Sequence, residues 1–182
     1  MKLYQDIWLL PVKTISDFVS TDNNKALPFI PILILAVSIS IDILPRIMQY
    51  SDQFDTYLII LITVPLILVG ILIFYRFVFP FMIQTSGLLW KGAATHKQLA
   101  KACSIALLPY SVVLVSQIII LGLSIPIDTT TFDFSARTII TCWSFILLVI
   151  GVAKSQQFTY GFAVLNIFMG YLPFILLLLM RL

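Results

Sequence analysis

The chain has 182 residues, of which 60% are apolar and 10% charged, and its 11 Lys and Arg against 8 acidic residues give a formal net charge of +3. A mean hydropathy of +1.07 excludes an ordinary soluble domain, and cations gathered into a few short segments exclude nucleic acid as a partner. The expectation is an all-α, polytopic membrane helical bundle: an N-terminal cytosolic, interfacial segment over residues 1–25, then a five-helix transmembrane domain over 26–182.

The segment from Tyr4 to Phe18 mixes Ile7, Trp8 and Leu9 with Asp6, Lys13 and Asp17, which makes it too polar to span. Tyr4 and Trp8 suit the headgroup layer, Pro11 breaks the run, and Thr14 to Ser20 fits a short helix lying flat with Ile15, Phe18 and Val19 in lipid; a loosely ordered tail is the alternative. No small-residue cleavage pattern follows a basic start, so the first span is expected to direct insertion.

Span one is predicted over about 28–44, after Lys25 and with Pro28 and Pro31 in its first turn, where their missing N–H groups cost nothing. Asp42 and Arg46, four residues apart, share a face and are expected to pair at the interface rather than mark an ion pathway. Span two, Tyr57 to Tyr75, offers 19 uncharged residues, with a kink expected at Pro65 and Arg76 at its end. From Pro80 to Trp90 the chain is too short to cross again and reads as a helical extension at the inner interface, reaching residue 90.

Lys91 to Lys101 is the longest polar connection on the positive side and the expected contact surface. Span three is expected over 102–123, kinked at Pro109, with Gln117 in its outer half. Ser124 to Ser135 reads as an outer loop; Arg137 then opens span four, 138–153, and span five covers 158–180. Gln117 and Asn166 are polar groups among apolar ones, expected to hydrogen-bond across helices rather than touch a substrate.

Orientation follows from the flanking cations. With the N-terminus inside, Lys2, Lys13, Lys25, Arg76, Lys91, Lys97, Lys101 and Lys154 are cytosolic against Arg46, Arg137 and Arg181 outside, eight against three. The reading is therefore a multi-pass plasma-membrane protein with a cytosolic N-terminus and an external C-terminus.

No His-Glu-x-x-His pair, Gly-x-Ser-x-Gly elbow, phosphate-cradling loop or zinc-spaced Cys/His set occurs, and Cys103 and Cys142 lie in apolar stretches unsuited to a disulfide framework. No catalytic residue, cofactor or metal is expected, and His96 reads as a solvated neighbour of Lys97.

Three stretches resemble the Yip1 domain family of small multi-spanning membrane proteins. Asp6-Ile-Trp-Leu-Leu-Pro11-Val-Lys-Thr14-Ile-Ser-Asp-Phe18 resembles the "Pro-x-x-Thr-Phe" opening of bacterial members, with Ile15 where Phe is commoner. Lys91-Gly92 through His96-Lys97-Gln98-Leu99 to Leu107-Leu108-Pro109-Tyr110 resembles the inner loop and the "x-Leu-Leu-Pro" span that follows it. Trp143-Ser144 through Leu148-Val149-Ile150-Gly151-Val152-Ala153-Lys154 to Tyr160-Gly161-Phe162-Ala163 resembles the fourth span and its tight turn. The resemblance implies five helices with a cytosolic N-terminus. Eukaryotic members serve vesicle trafficking with Rab-type GTPases through long cytosolic regions that have no counterpart here. The compact bacterial or archaeal type is thus implied, some members of which associate with ABC-type transport systems or protection against membrane-active peptides.

The expected function is that of a non-enzymatic accessory or scaffold protein. It would bind lipid or a membrane protein, a second copy included, through Arg76, Lys91, Gly92, His96, Lys97 and Lys101. The same lysines fix topology under a plainer reading, and a small transporter or channel component with a cavity between its helices is the alternative function.

Overall fold

A computed structural model describes residues 2–20, 29–49, 56–123 and 129–180; the side chains of 2–4, 46–49, 56, 121, 123, 129–134 and 178 lie outside the description. Lys25, Pro28, Arg181 and the acids Asp22, Asp52, Asp55 and Asp128 fall outside the described residues, as do the side chains of Lys2, Arg46 and Asp133.

Among the described residues the elements are helical: α1 (Lys2–Leu9), α2 (Pro11–Ser20), α3 (Phe29–Gln49), α4 (Thr56–Ile73), a π-helical turn (Phe74–Val78), α5 (Phe79–Leu88), α6 (His96–Ala106), α7 (Tyr110–Leu123), α8 (Thr129–Gln156) and α9 (Tyr160–Leu179). Four stretches are long and apolar enough to cross a membrane, namely Tyr57–Leu88, His96–Ile120, Ser135–Gln156 and Tyr160–Leu177, with Phe29–Pro45 as a shorter apolar helix. Leu58, Leu61, Ile62, Leu66, Phe162, Leu165 and Phe168 are exposed, whereas Ser104, Gln117, Ser144, Gln156 and Asn166 are buried. That inversion suits a bundle in lipid, where side-chain hydrogen bonds and close packing, not apolar burial, hold helices together.

The main core joins α2, α5, α6, α8 and α9 around Ile15, Phe79, Leu99, Leu147 and Ile167, and a smaller one joins Ile32 and Leu35 of α3 to Leu107. The α6–α8 crossing is tight because Gly151 faces Ala102: a Cβ on Gly151 would lie 2.8 Å from the Ala102 Cβ and 3.3 Å from its Cα.

Several boundaries differ from the sequence expectations. Tyr57 to Leu88 is helical throughout, α4 passes through Pro65 without a break, and the irregularity falls at Phe74–Val78. Pro80 accounts for this, since it cannot donate to the carbonyl four residues earlier and its ring crowds that turn; a widened π turn just upstream relieves both. Pro109 does break its span, with the backbone at Leu107, Leu108 and Tyr110 bonding three residues back, to Ser104, Ile105 and Leu107. The extension over Phe79–Leu88 is no surface helix, because Phe79, Ile83, Ser86 and Gly87 are buried and α5 packs on α6 and α9. The polar connection is half as long as expected. α6 starts at His96 because Thr95 and Gln98 form a reciprocal capping box. The expected outer loop is helical from Thr129, so Arg137 lies inside α8 instead of opening it. Finally, Ile15, Phe18 and Val19 are buried where α2 packs on α6 and α8, and so contact protein rather than lipid.

Candidate functional site

The connection between α5 and α6 is bound back onto the bundle. α5 ends in a turn whose Gly92 N–H donates to the Gly87 carbonyl (2.9 Å) and Lys91 N–H to the Leu88 carbonyl (3.2 Å). Lys91 holds the left-handed position (φ 58°), where glycine is usual. α8 ends the same way, with Phe158 N–H on the Ala153 carbonyl (2.9 Å) and Gln157 at φ 60°.

Gln156, just before that turn, is the side chain that ties the two ends together. It is buried; its Oε1 accepts from Ala94 N–H (3.2 Å) and its Nε2 donates to the Ile83 carbonyl (3.4 Å). Gly87 and Gly92 are there for space, since a Cβ on either would fall 2.2 or 2.1 Å from the Gln156 amide. Gln84 Nε2 adds a bond to the Ala94 carbonyl (3.4 Å).

The six residues expected to form one contact surface fall into three places. Lys91 and Gly92 sit at the Gln156 latch. Arg76 and His96 flank the exposed ring of Phe77, the Arg76 Cζ 5.8 Å and the His96 ring 6.3 Å from its centroid, and His96 Nε2 donates to the Phe77 carbonyl (3.3 Å). The Arg76 guanidinium also lies 3.9 Å from the Phe29 ring centroid, a cation–π contact tying the π turn to α3. Lys97 is exposed beside His96. Lys101 is a correction: it is buried beneath α2, its Nζ 6.0 Å from the Phe18 ring centroid, and offers no free surface.

Asp42 has a partner beyond its own helix. Its carboxylate accepts both Arg137 terminal nitrogens, NH1 on Oδ2 and NH2 on Oδ1 (2.8 Å), so α8 supplies an ion pair to it, while the side chain of its expected partner Arg46 lies outside the described residues. Gln117 Nε2 donates to Asp42 Oδ1 (2.7 Å) and to the Ser38 carbonyl (3.3 Å), and its Oε1 accepts from the Ser38 hydroxyl (2.8 Å). Three helices thus meet in one polar cluster. Asn166, wholly buried on α9, accepts at Oδ1 from the Ser86 hydroxyl of α5 (2.6 Å).

A cavity of about 200 Å³ lies between the helices, lined by Tyr75, Cys103, Tyr110, Thr141, Ser144 and Tyr171 among others. Both backbone irregularities reach it: Tyr75 belongs to the π turn and Tyr110 follows the break at Pro109. The Ala106 carbonyl, stripped of its normal donor by that break, accepts from the Ser144 hydroxyl (2.5 Å), and the Tyr110 hydroxyl lies 3.1 Å from Thr141 Oγ1. Gln117, Asn166 and Pro65 do not line it. Among the described residues no group of three or more His, Cys, Asp or Glu could hold a metal ion.

No protein-family model, curated protein or solved structure matches the chain.

Sequence reasoning missed Gln156, the Asp42–Arg137 pairing and the cavity tyrosines. Thr95-x-x-Gln98 was a readable signal for the start of α6. Gln156 carried none, because a glutamine at the end of an apolar run looks the same whether it faces water or fills a slot between two glycines.

Proposed function

We propose that this chain is a non-enzymatic accessory protein of the plasma membrane, of the compact Yip1 type. In this reading Phe29–Pro45 is a first span that precedes the four longer ones, the N-terminus is cytosolic and the C-terminus external. Its cytosolic face would contact a membrane protein or lipid. The observation that carries the reading is the exposed Phe77 ring flanked by Arg76 and His96, with exposed Lys97 beside them. An apolar ring among cations fits the boundary between headgroups and a partner's acidic surface. Impermeant labelling of terminal tags in intact cells tests the topology: an external C-terminus with a protected N-terminus is expected, and both ends on one side would overturn five spans. Co-purification from native membranes tests the contact. Arg76→Gln with Lys97→Gln is expected to shed a partner that wild type retains, and an unchanged set of partners would overturn it.

A second reading, a small transporter or channel component, is favoured by the meeting of both broken backbones at the tyrosine-lined cavity, as irregular backbone in a membrane protein is tolerated where it is buried or lines a cavity. Cys103 lines that cavity, so in a Cys142→Ser background labelling of Cys103 by a water-soluble maleimide is expected under this reading, and full protection would overturn it.

A further inference from the structure

Two hollows join on the outside of the bundle where α2, α8 and α9 meet. One, of about 430 Å³, carries Lys13, Ser16, Asp17 and Lys154 beside the apolar Leu10; the other, of about 400 Å³, is almost wholly apolar, lined by Ile146, Val149, Ile150, Tyr160 and Val164 among others. Val12 borders both, so the two hollows adjoin, charged groups in one beside the apolar run of the other, and are taken together as a groove.

We propose that this groove binds one anionic phospholipid, with its headgroup phosphate between Lys13 and Lys154 and an acyl chain along α8. The proposal deepens the reading of a lipid-contacting cytosolic face and rests on it for placing the Lys154 end at the inner leaflet. Four observations support it. On α8, Ile146, Ile150 and Lys154 recur every four residues and so stack along one face over about 12 Å, an apolar ladder ending in a cation. α2 spends Ile15, Phe18 and Val19 on protein contacts, which turns Val12 and Lys13 toward the groove. On the opposite wall, Tyr160 is exposed near the charged end, as an aromatic suited to the headgroup layer should be, and Phe162, Leu165 and Phe168 continue the apolar exterior of α9. Two lysines against Asp17, which is already engaged within the protein, leave the polar hollow at +1, which favours an anionic over a zwitterionic headgroup. An extended peptide would need polar groups to meet its backbone, and the apolar half of the groove supplies almost none.

Native mass spectrometry of the full chain released from detergent with graded phosphatidylglycerol or phosphatidylcholine tests this. Wild type is expected to retain one phosphatidylglycerol at about tenfold lower lipid concentration than phosphatidylcholine. Lys13→Gln with Lys154→Gln should remove that preference, and Ile146→Trp should weaken both lipids by filling the apolar hollow. Arg181→Gln, which removes a cation expected on the other side of the membrane, should leave the preference intact. Each variant is checked for an unchanged melting temperature, and Lys154→Gln alone, at an exposed position, serves if the double variant misfolds. Equal retention of the two lipids by wild type, equal loss with Arg181→Gln, or displacement of the lipid by inorganic phosphate would each overturn the proposal. An N-terminus found outside by terminal labelling would overturn the underlying topology while leaving the measured lipid preference standing, so the two failures are distinguishable.

Discussion

Arg137 of α8 grips Asp42 of α3 through both terminal guanidinium nitrogens, and Gln117 of α7 caps the same carboxylate. A forked guanidinium on a planar carboxylate is the strongest form of side-chain pairing. Both side chains remain about a third exposed (33% each), which limits what the charge contributes. Asp42→Leu or Arg137→Leu is expected to lower stability in detergent by about 1–3 kcal/mol, because each leaves the other charge part-buried without its ion-pair partner. In a double-mutant cycle read by thermal unfolding, Asp42 should couple to Arg137 more strongly than to Arg46. A larger coupling to Arg46 would return the pair to a single turn of α3.

That pairing marks how far the sequence could be read. The last apolar helix, expected over 158–180 and found at Tyr160–Leu179, needed only an apolar run between polar ends. Asp42 instead had an arginine four residues away and another 95 residues away, and local spacing favours the near one although tertiary packing supplies the far one. The same limit hid the cavity: Tyr75, Tyr110 and Tyr171 read as ordinary apolar-run aromatics until the π turn and the Pro109 break bring them to one space. The amphipathic face of α2 was legible, but protein and lipid are equally apolar, so periodicity alone could not say which of them covers Ile15 and Phe18.

Gly151 and Gly161 offer a paired test of packing. A Cβ at Gly151 meets the backbone and Cβ of Ala102, which cannot move aside as a flexible side chain would, whereas a Cβ at Gly161 meets nothing within 4 Å. Gly151→Ala is therefore expected to destabilise by about 1–3 kcal/mol through overpacking of the α6–α8 crossing. Gly161→Ala should be neutral or stabilise by up to about 1 kcal/mol, by narrowing the unfolded ensemble. Melting temperatures of the two variants in the same detergent check this; equal effects would mean that the crossing is looser than 2.8 Å implies.

The last test concerns the latch. Gln156 satisfies the buried Ala94 N–H, donates to the Ile83 carbonyl, and occupies the space that Gly87 and Gly92 leave open. Removing it by Gln156→Ala leaves an N–H without its partner and a void, an expected loss of about 2–4 kcal/mol. Gly92→Ala should cost a similar amount by a different route, because the new methyl displaces the Gln156 amide from both bonds. If the two glycine-lined contacts act through Gln156, the double variant loses little more than either single one, since the methyl then enters space the amide has vacated. Thermal unfolding of the three proteins reads the coupling, and hydrogen exchange at Ala94 reports whether the connection stays bound to the bundle. Additive losses would show that Gly92 serves the turn through its own backbone, with Lys91 beside it at positive φ, and not by making room for Gln156.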